Sequence, residues 1–333
     1  MNLFELTRQL IDIPSITGEE GAAGDFLASF LSHLGYRIET LPVSEKRFNV
    51  FAKRNEPATI VFATHIDTVP PFIPAREDDD YIYGRGSCDA KGIIAAQILA
   101  AEKLSAQEFN EVGLLFTVDE EMASAGAQLA NKHTAAKDCR FLINGEPTDN
   151  KLAQGSKGSM RLHLSTKGRS AHSAYPEAGV SAIEKLLDVL DDIRRCQWPN
   201  DEFFGETTCN IGVVSGGTRP NVIPAEATAD FQIRLTKEVE EIKSLVDGVV
   251  GGRATMEYST AHDPMRFFTI PGFEECIVRF TTDIPYLTNW GKPLLLGPGS
   301  ILDAHTDHER VSKQELREAV DLYVRLAEQL LKK

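Results

Sequence analysis

Positive charge is scarce in this sequence. Against 49 Asp and Glu stand 35 Lys and Arg, a formal charge of -14, and the acidic residues are spread widely. No basic footprint for nucleic acid or an anionic membrane is present. Cysteine is scarce too: Cys88, Cys139, Cys196, Cys209 and Cys276 are scattered, odd in number and without a CxxC pair. That usage suits a reducing cytoplasm and argues against a disulfide framework. No uncharged apolar run approaches membrane-spanning length, and the opening MNLFELTRQLIDIPS lacks a basic segment followed by an apolar core. The expectation is a cytoplasmic, unanchored protein. With 333 residues, 42% hydrophobic and 25% charged, the chain is long enough for two globular domains.

The stretch around which the rest is organised is TIVFATHIDTVP, from Thr59 to Pro70. Its first half is a short apolar run rich in β-branched residues, as in a strand buried on both faces of a parallel sheet. His65 and Asp67 follow where that strand would end, and ligands of open α/β sheets gather at the carboxyl ends of strands. Residues two apart in an extended chain share a face, so Asp67 could brace the imidazole of His65. Alone, an HxD is a weak signal, and its plainer reading is a strand cap with two solvated polar groups.

The remaining chain repeats this theme. Thr17 and Glu20 read as a capping box for a helix carrying Ala23, Phe26, Leu27, Phe30, Leu31 and Leu34, closed by Gly35. Pro71 to Tyr83, with its EDDD run, reads as a surface loop. GRGSCDAKG then leads into an Ala- and Ile-rich helix from about Ala90 to Leu104. Val112 to Val118 is a buried strand ending in Asp119, Glu120 and Glu121, and Arg140 to Asn144 another, ending in Gly145 and Glu146. Strands alternating with helices predict an α/β fold with a mostly parallel sheet. From about Ser156 the pattern changes to half-buried alternation at Met160, Leu162, Leu164 and Thr166. The order that follows, β-α-β-β-α-β, is that of a ferredoxin-like α+β module. Residues 156–263 form this insert, and 1–155 with 264–333 form the interrupted first domain, which resumes with LLLGPG, Asp303, Ala304 and His305.

His65, Asp67, Asp89, Glu120, Glu121, Glu146 and His305 thus gather at strand ends of one domain. So many carboxylates would repel one another and suffer desolvation unless something cationic sat among them. Two histidines, one bridging carboxylate and two further carboxylates would hold two metals about 3.5 to 4 Å apart. Mixed nitrogen and oxygen ligation favours zinc, with cobalt or manganese as substitutes.

The motifs ATHIDTVP, YGRGSCDAKG, TVDEEMASAGA, NGEPT, AHSAYPEAGVSAIE, GGTRPNVIPAEATADFQIR and GPGSILDAH stand here in that order. Through them the chain resembles, over essentially its whole length, a di-zinc amidohydrolase and exopeptidase family. That family includes acetylornithine deacetylase, succinyl-diaminopimelate desuccinylase, aminoacylase, carboxypeptidase G and the LysW-type lysine hydrolases. The resemblance implies a zinc-exopeptidase-like sheet with helices on both faces, interrupted by a lid domain that pairs in a homodimer.

It also implies a ligand set. His65 and Glu146 would share one metal, His305 and Glu121 the other, with Asp89 bridging and Asp67 behind His65. Glu120 would be the general acid/base, and the peptide after Asp89 would be cis. Asn221 and Arg234 would grip the free carboxylate of the substrate, while His172 would reach a partner's active site and stabilise the oxyanion. The implied reaction is hydrolysis of the amide of a small N-acyl amino acid, most like acetylornithine in arginine biosynthesis. Dipeptidase, carboxypeptidase and amino-group-carrier hydrolase are the alternatives.

Departures from the family pattern are visible. TTDIP at 281 to 285 replaces the deacetylase GTExP, so acetylornithine itself is in doubt. His308 takes a place usually held by Asp or Asn and reads as a surface residue. Arg219 is either an additional anion contact or a surface charge. Cys88 reads as inert packing beside Asp89.

Overall fold

A computed structural model describes residues 2–54 and 57–332, which fall into two units. The first comprises the chain up to Gln154, Phe267–Cys276, and the chain from Thr282 onward. Its sheet has six strands in the order Arg37–Ser44, Arg47–Lys53, Val112–Thr117, Ile60–His65, Phe141–Asn144, Lys292–Leu295. The last four are parallel, and the first two add an antiparallel edge hairpin.

Ile60–His65 and Val112–Thr117 are buried at every position, which explains their unbroken apolar runs. Successive side chains point to opposite faces. Phe62, Leu114 and Ile143 accordingly join one core cluster with the helices Lys91–Ala106 and Lys313–Leu331. Val61, Leu115 and Leu142 join another with Phe51, Ala127 and Trp290. Each such side chain contributes about 1.5 to 3 kcal/mol by leaving water. The two clusters fix the sheet between helical layers, so the strand ends emerge on a rigid frame.

Two local expectations are overturned. Thr17 and Glu20 form no capping box: the helix Gly21–His33 has no side-chain cap at its start. Instead Thr17 Oγ1 donates to Asp67 Oδ2 at 2.9 Å, and Glu20 receives both Arg47 Nε and Nη2 at 2.7 Å. Long-range partners win because a bidentate guanidinium–carboxylate pair is stronger than a neutral cap. Nor is 71–83 only a loop. Arg76–Glu77 and Tyr81–Tyr83 form a hairpin that pairs with Arg310–Ser312, and the acidic run is its tip.

The second unit is Gly155–Arg266 with Ile277–Thr281. Its antiparallel sheet runs Thr208–Gly216, Glu226–Leu235, Gly158–Lys167, Thr255–His262. With the helices Ala182–Arg195 and Val239–Val250 this is the ferredoxin-like order. Met160, Leu162, Leu164, Phe231 and Ile233 meet Leu186, Val189 and Val246 in a separate core. Thr208–Gly216 is an edge strand, and Val213 and Val214 on it are exposed.

Candidate metal centre

The continuous strand Ile60–His65 delivers His65 to the carboxyl end of the sheet with 1% of its surface exposed. Its Nε2 lies 2.9 Å from Asp89 Oδ1, and its Nδ1 lies 2.9 Å from the Asp67 main-chain oxygen. The other oxygen of Asp89, Oδ2, stands 3.3 Å from His305 Nε2, which also meets Glu121 Oε1 at 2.9 Å. One buried carboxylate therefore sits between two imidazoles, one oxygen toward each. Ligand atoms of His65, Asp89 and Glu121 lie within 4.8 Å of one another.

Glu146 follows the strand Phe141–Asn144, is 4% exposed, and its Oε1 has no hydrogen-bond partner. Gly145 before it admits no side chain, since a Cβ there would come within 2.3 Å of Ile93 Cγ2. The Asp89–Ala90 peptide is cis.

Asp67 has a wider task than bracing a ring. Its Oδ1 is 3.7 Å from His65 Nδ1, so the imidazole bonds the main chain in preference. The carboxylate accepts the main-chain N–H of Glu120 at 3.1 Å and of Glu121 at 3.2 Å, besides the Thr17 hydroxyl. It thereby orients the turn that carries both glutamates.

Carboxyl groups outnumber imidazoles here. Burial, reinforced by neighbouring negative charge, pushes the carboxyls of Glu120 and Glu146 well above the usual range. Burial also raises Glu121, against the hydrogen bond from His305. Asp89 goes the other way: burial is outweighed by the hydrogen bonds from His305 and His65, which hold it low. His305 is pushed up to about 10 by its bonds to Asp89 and Glu121. Acidic groups that depart this far from water, with one oxygen of Glu146 unpartnered, call for a cation. The donor set of imidazole nitrogens and carboxylate oxygens fits a divalent metal.

Several supporting groups were not legible beforehand. Asp119, at φ 74°, accepts Arg47 Nη2 at 2.6 Å and closes its turn through the Ser124 N–H at 2.7 Å. Asn49 bridges the same turn, donating to the Gly126 carbonyl and accepting from the Val118 N–H. Asp283 is buried, receives the Thr117 hydroxyl at 2.7 Å, and is pushed up to about 6 by burial. Of these three only Asp119, directly before Glu120, stands beside an expected site residue in sequence, which is the one signal that could have drawn attention to it. Cys88 packs as expected: it is buried, and burial raises its thiol far above the usual range. His308 and Arg219 are exposed.

The remaining expected residues lie in the second unit. His172 is exposed; its Nδ1 accepts the Ala174 N–H at 3.1 Å, which leaves the proton of the neutral ring on Nε2. It forms an isolated bridge with Val222, next to the exposed Asn221. Arg234 is half-buried in the interior strand Glu226–Leu235, with Nη1 3.4 Å from Thr281 Oγ1.

Comparison with known proteins gives a consistent answer. A profile for a peptidase dimerisation domain matches residues 154–251. A Schizosaccharomyces pombe peptidase M20 domain-containing protein is 37% identical over 98% of this chain and 84% of its own. A probable carboxypeptidase of Emericella nidulans is 38% identical over 97% of this chain and 88% of its own. Among solved structures, the YXEP protein of Bacillus subtilis, described as a dinuclear metal-binding peptidase, superposes with a TM-score of 0.73. It is 15% identical and covers 99% of this chain and 98% of its own. The chain belongs to the M20 family of metallopeptidases.

Proposed function

We propose that this protein is a two-metal hydrolase of carboxypeptidase type, cleaving the amide bond of a small substrate beside a free carboxylate. The observation that carries the reading is Asp89, held between His65 and His305 with one oxygen toward each. His65 and Glu146 would hold one metal and His305 and Glu121 the other, with zinc the first choice and cobalt a substitute. Such metals, when bound, acidify a water between them and polarise the scissile carbonyl.

Glu120 takes the proton of that attacking water and returns it to the departing amine. Asp67 keeps Glu120 and Glu121 in register through their main-chain N–H groups. Arg234 and Asn221 bind the free carboxylate, a task suited to a planar guanidinium. His172 donates to the carbonyl oxygen as it gains charge, from the partner of a homodimer. The dimerisation-domain match and the apolar edge strand Thr208–Gly216 support that dimer. A cytoplasmic site is supported by five free cysteines.

The carboxypeptidase names of the relatives move the preference from an N-acyl amino acid toward a peptide. The deacylase reading asks for the same bond with an acyl group in place of an amino-terminal residue. A role in arginine biosynthesis would follow only from turnover of acetylornithine.

Zinc-loaded and cobalt-loaded protein should carry two metal ions per chain and hydrolyse dipeptides and longer peptides from the carboxyl end. Acetylornithine, succinyl-diaminopimelate and N-acyl amino acids form the other arm of the panel. Amidation of the terminal carboxylate should cost the wild type far more than it costs Arg234→Ala. A stoichiometry of one removes the two-metal reading. Faster turnover of N-acyl amino acids than of any peptide restores the deacylase.

A further inference from the structure

Glu309, four residues after His305, is 1% exposed and takes no part in the chemistry described so far. Its Oε1 accepts three main-chain N–H groups, from Gly86 at 2.9 Å and from Cys88 and Asp89 at 3.1 Å each. Its Oε2 receives Arg85 Nη1 at 2.6 Å. Arg85, 2% exposed, also donates to the Thr306 carbonyl at 3.1 Å and the Pro71 carbonyl at 3.3 Å. One buried ion pair thus ties together three loops: the one after His65, the one ending in Asp89, and the one carrying His305.

We infer that Glu309 and Arg85 are positioning residues that fix the main chain of Asp89, and so the placement of its carboxylate between His65 and His305. This rests on Asp89 being a metal ligand. Stability alone does not explain the pair. A buried ion pair is weak evidence for stability, since well-packed apolar groups of the same volume often serve as well. What apolar groups cannot do is satisfy three N–H donors that converge on one oxygen. Burial pushes the Glu309 carboxyl up while Arg85 and the Asp89 N–H act against it. Four donors on one carboxylate are the coordination of its ionised form. Strand ends are rigid, but Asp89 is on a loop, and this pair supplies the rigidity a bridging ligand needs.

The test is a calorimetric titration of metal-stripped protein with zinc, together with the melting temperature and kcat. Glu309→Ala should weaken zinc binding by about tenfold to a hundredfold, the usual cost of losing an outer partner. Glu309→Gln keeps an oxygen for the three N–H groups but sets an amide against Arg85, and should fall between. Arg85→Met should shift affinity in the same direction. Tyr323→Phe is the control, because it removes a buried hydrogen bond to the Leu296 carbonyl in the same unit. It should lower the melting temperature and leave zinc affinity unchanged. If Glu309→Ala does not fold, Glu309→Gln and Arg85→Met decide the matter. Wild-type affinity in the Glu309 and Arg85 variants, or an equal loss in Tyr323→Phe, overturns the inference and leaves the proposed function standing. A wild type that takes up no zinc overturns both.

Discussion

The two units bury polar groups by different rules. In the first, Glu20, Asp67, Arg85, Asp89, Lys91, Asp119, Glu146, Asp283 and Glu309 are all buried. In the second, the buried polar side chains among the described residues are the hydroxyls of Ser156, Ser159, Thr166, Thr207 and Thr236, and Lys157. Exposed apolar groups occur on both, Met122 and Leu302 on the first unit and Tyr175, Leu187, Val213 and Val214 on the second, where the two valines sit side by side on the edge strand Thr208–Gly216. Burying a carboxylate is costly unless it is paired, and exposing an apolar strand edge invites pairing. The function proposed above accordingly places a cation in the first unit and a partner surface at the edge strand of the second.

The sharpest test of that contrast is Glu120. It belongs to the acidic cluster, yet its proposed task is to move protons without holding metal. Glu120→Gln should lower kcat by roughly a hundredfold to ten-thousandfold while zinc content per chain stays the same. Loss of metal together with activity would make Glu120 a ligand and leave the cluster without its acid/base.

A smaller effect should follow from His172, in the unit without buried carboxylates. Removing a donor aimed at the oxyanion costs about a hundredfold to a thousandfold in kcat, so His172→Ala should fall in that range with metal content unchanged. If the donor acts across a dimer, mixing His172→Ala with Glu120→Gln chains should restore activity, because each hybrid rebuilds one complete site. Failure of complementation, after subunit exchange has been demonstrated by mass spectrometry, would place His172 in its own chain's site or outside catalysis altogether.

How much of this was readable beforehand depends on whether an interaction leaves a local pattern. Ile60–His65 announced itself because a strand covered on both faces needs an unbroken apolar run. The insert showed itself at Met160, Leu162 and Leu164, where one covered face imposes alternation. His65, Asp89, Glu121 and His305 were singled out by their residue types at strand ends and by family resemblance, and the structure draws them together.

Glu309 and Arg85 stayed hidden because a carboxylate that accepts main-chain N–H groups imposes no residue type on its partners. Thr17 and Glu20 misled for a related reason: T-x-x-E fits a cap, but their partners Asp67 and Arg47 lie 50 and 27 residues away. Tyr81–Tyr83 pairs with a strand more than two hundred residues on, so no local signal separated that hairpin from a charged loop.

The smallest expected effect concerns the helix caps, and it asks whether the two units are also separate in stability. Ser181 caps Ala182–Arg195 by accepting the Glu184 N–H at 3.2 Å. Ser312 caps Lys313–Leu331 by accepting from Gln314 at 3.2 Å and Glu315 at 3.4 Å. Replacing a cap serine by alanine costs about 1 kcal/mol, a shift of a few degrees for units of this size. Each unit has its own core, so calorimetry should resolve two transitions, with Ser181→Ala moving one and Ser312→Ala the other. Zinc should raise only the transition that Ser312→Ala lowers, since a ligand stabilises the state that binds it. If both substitutions and zinc move a single common transition, the units unfold as one, and the contrast between them concerns side-chain chemistry rather than folding.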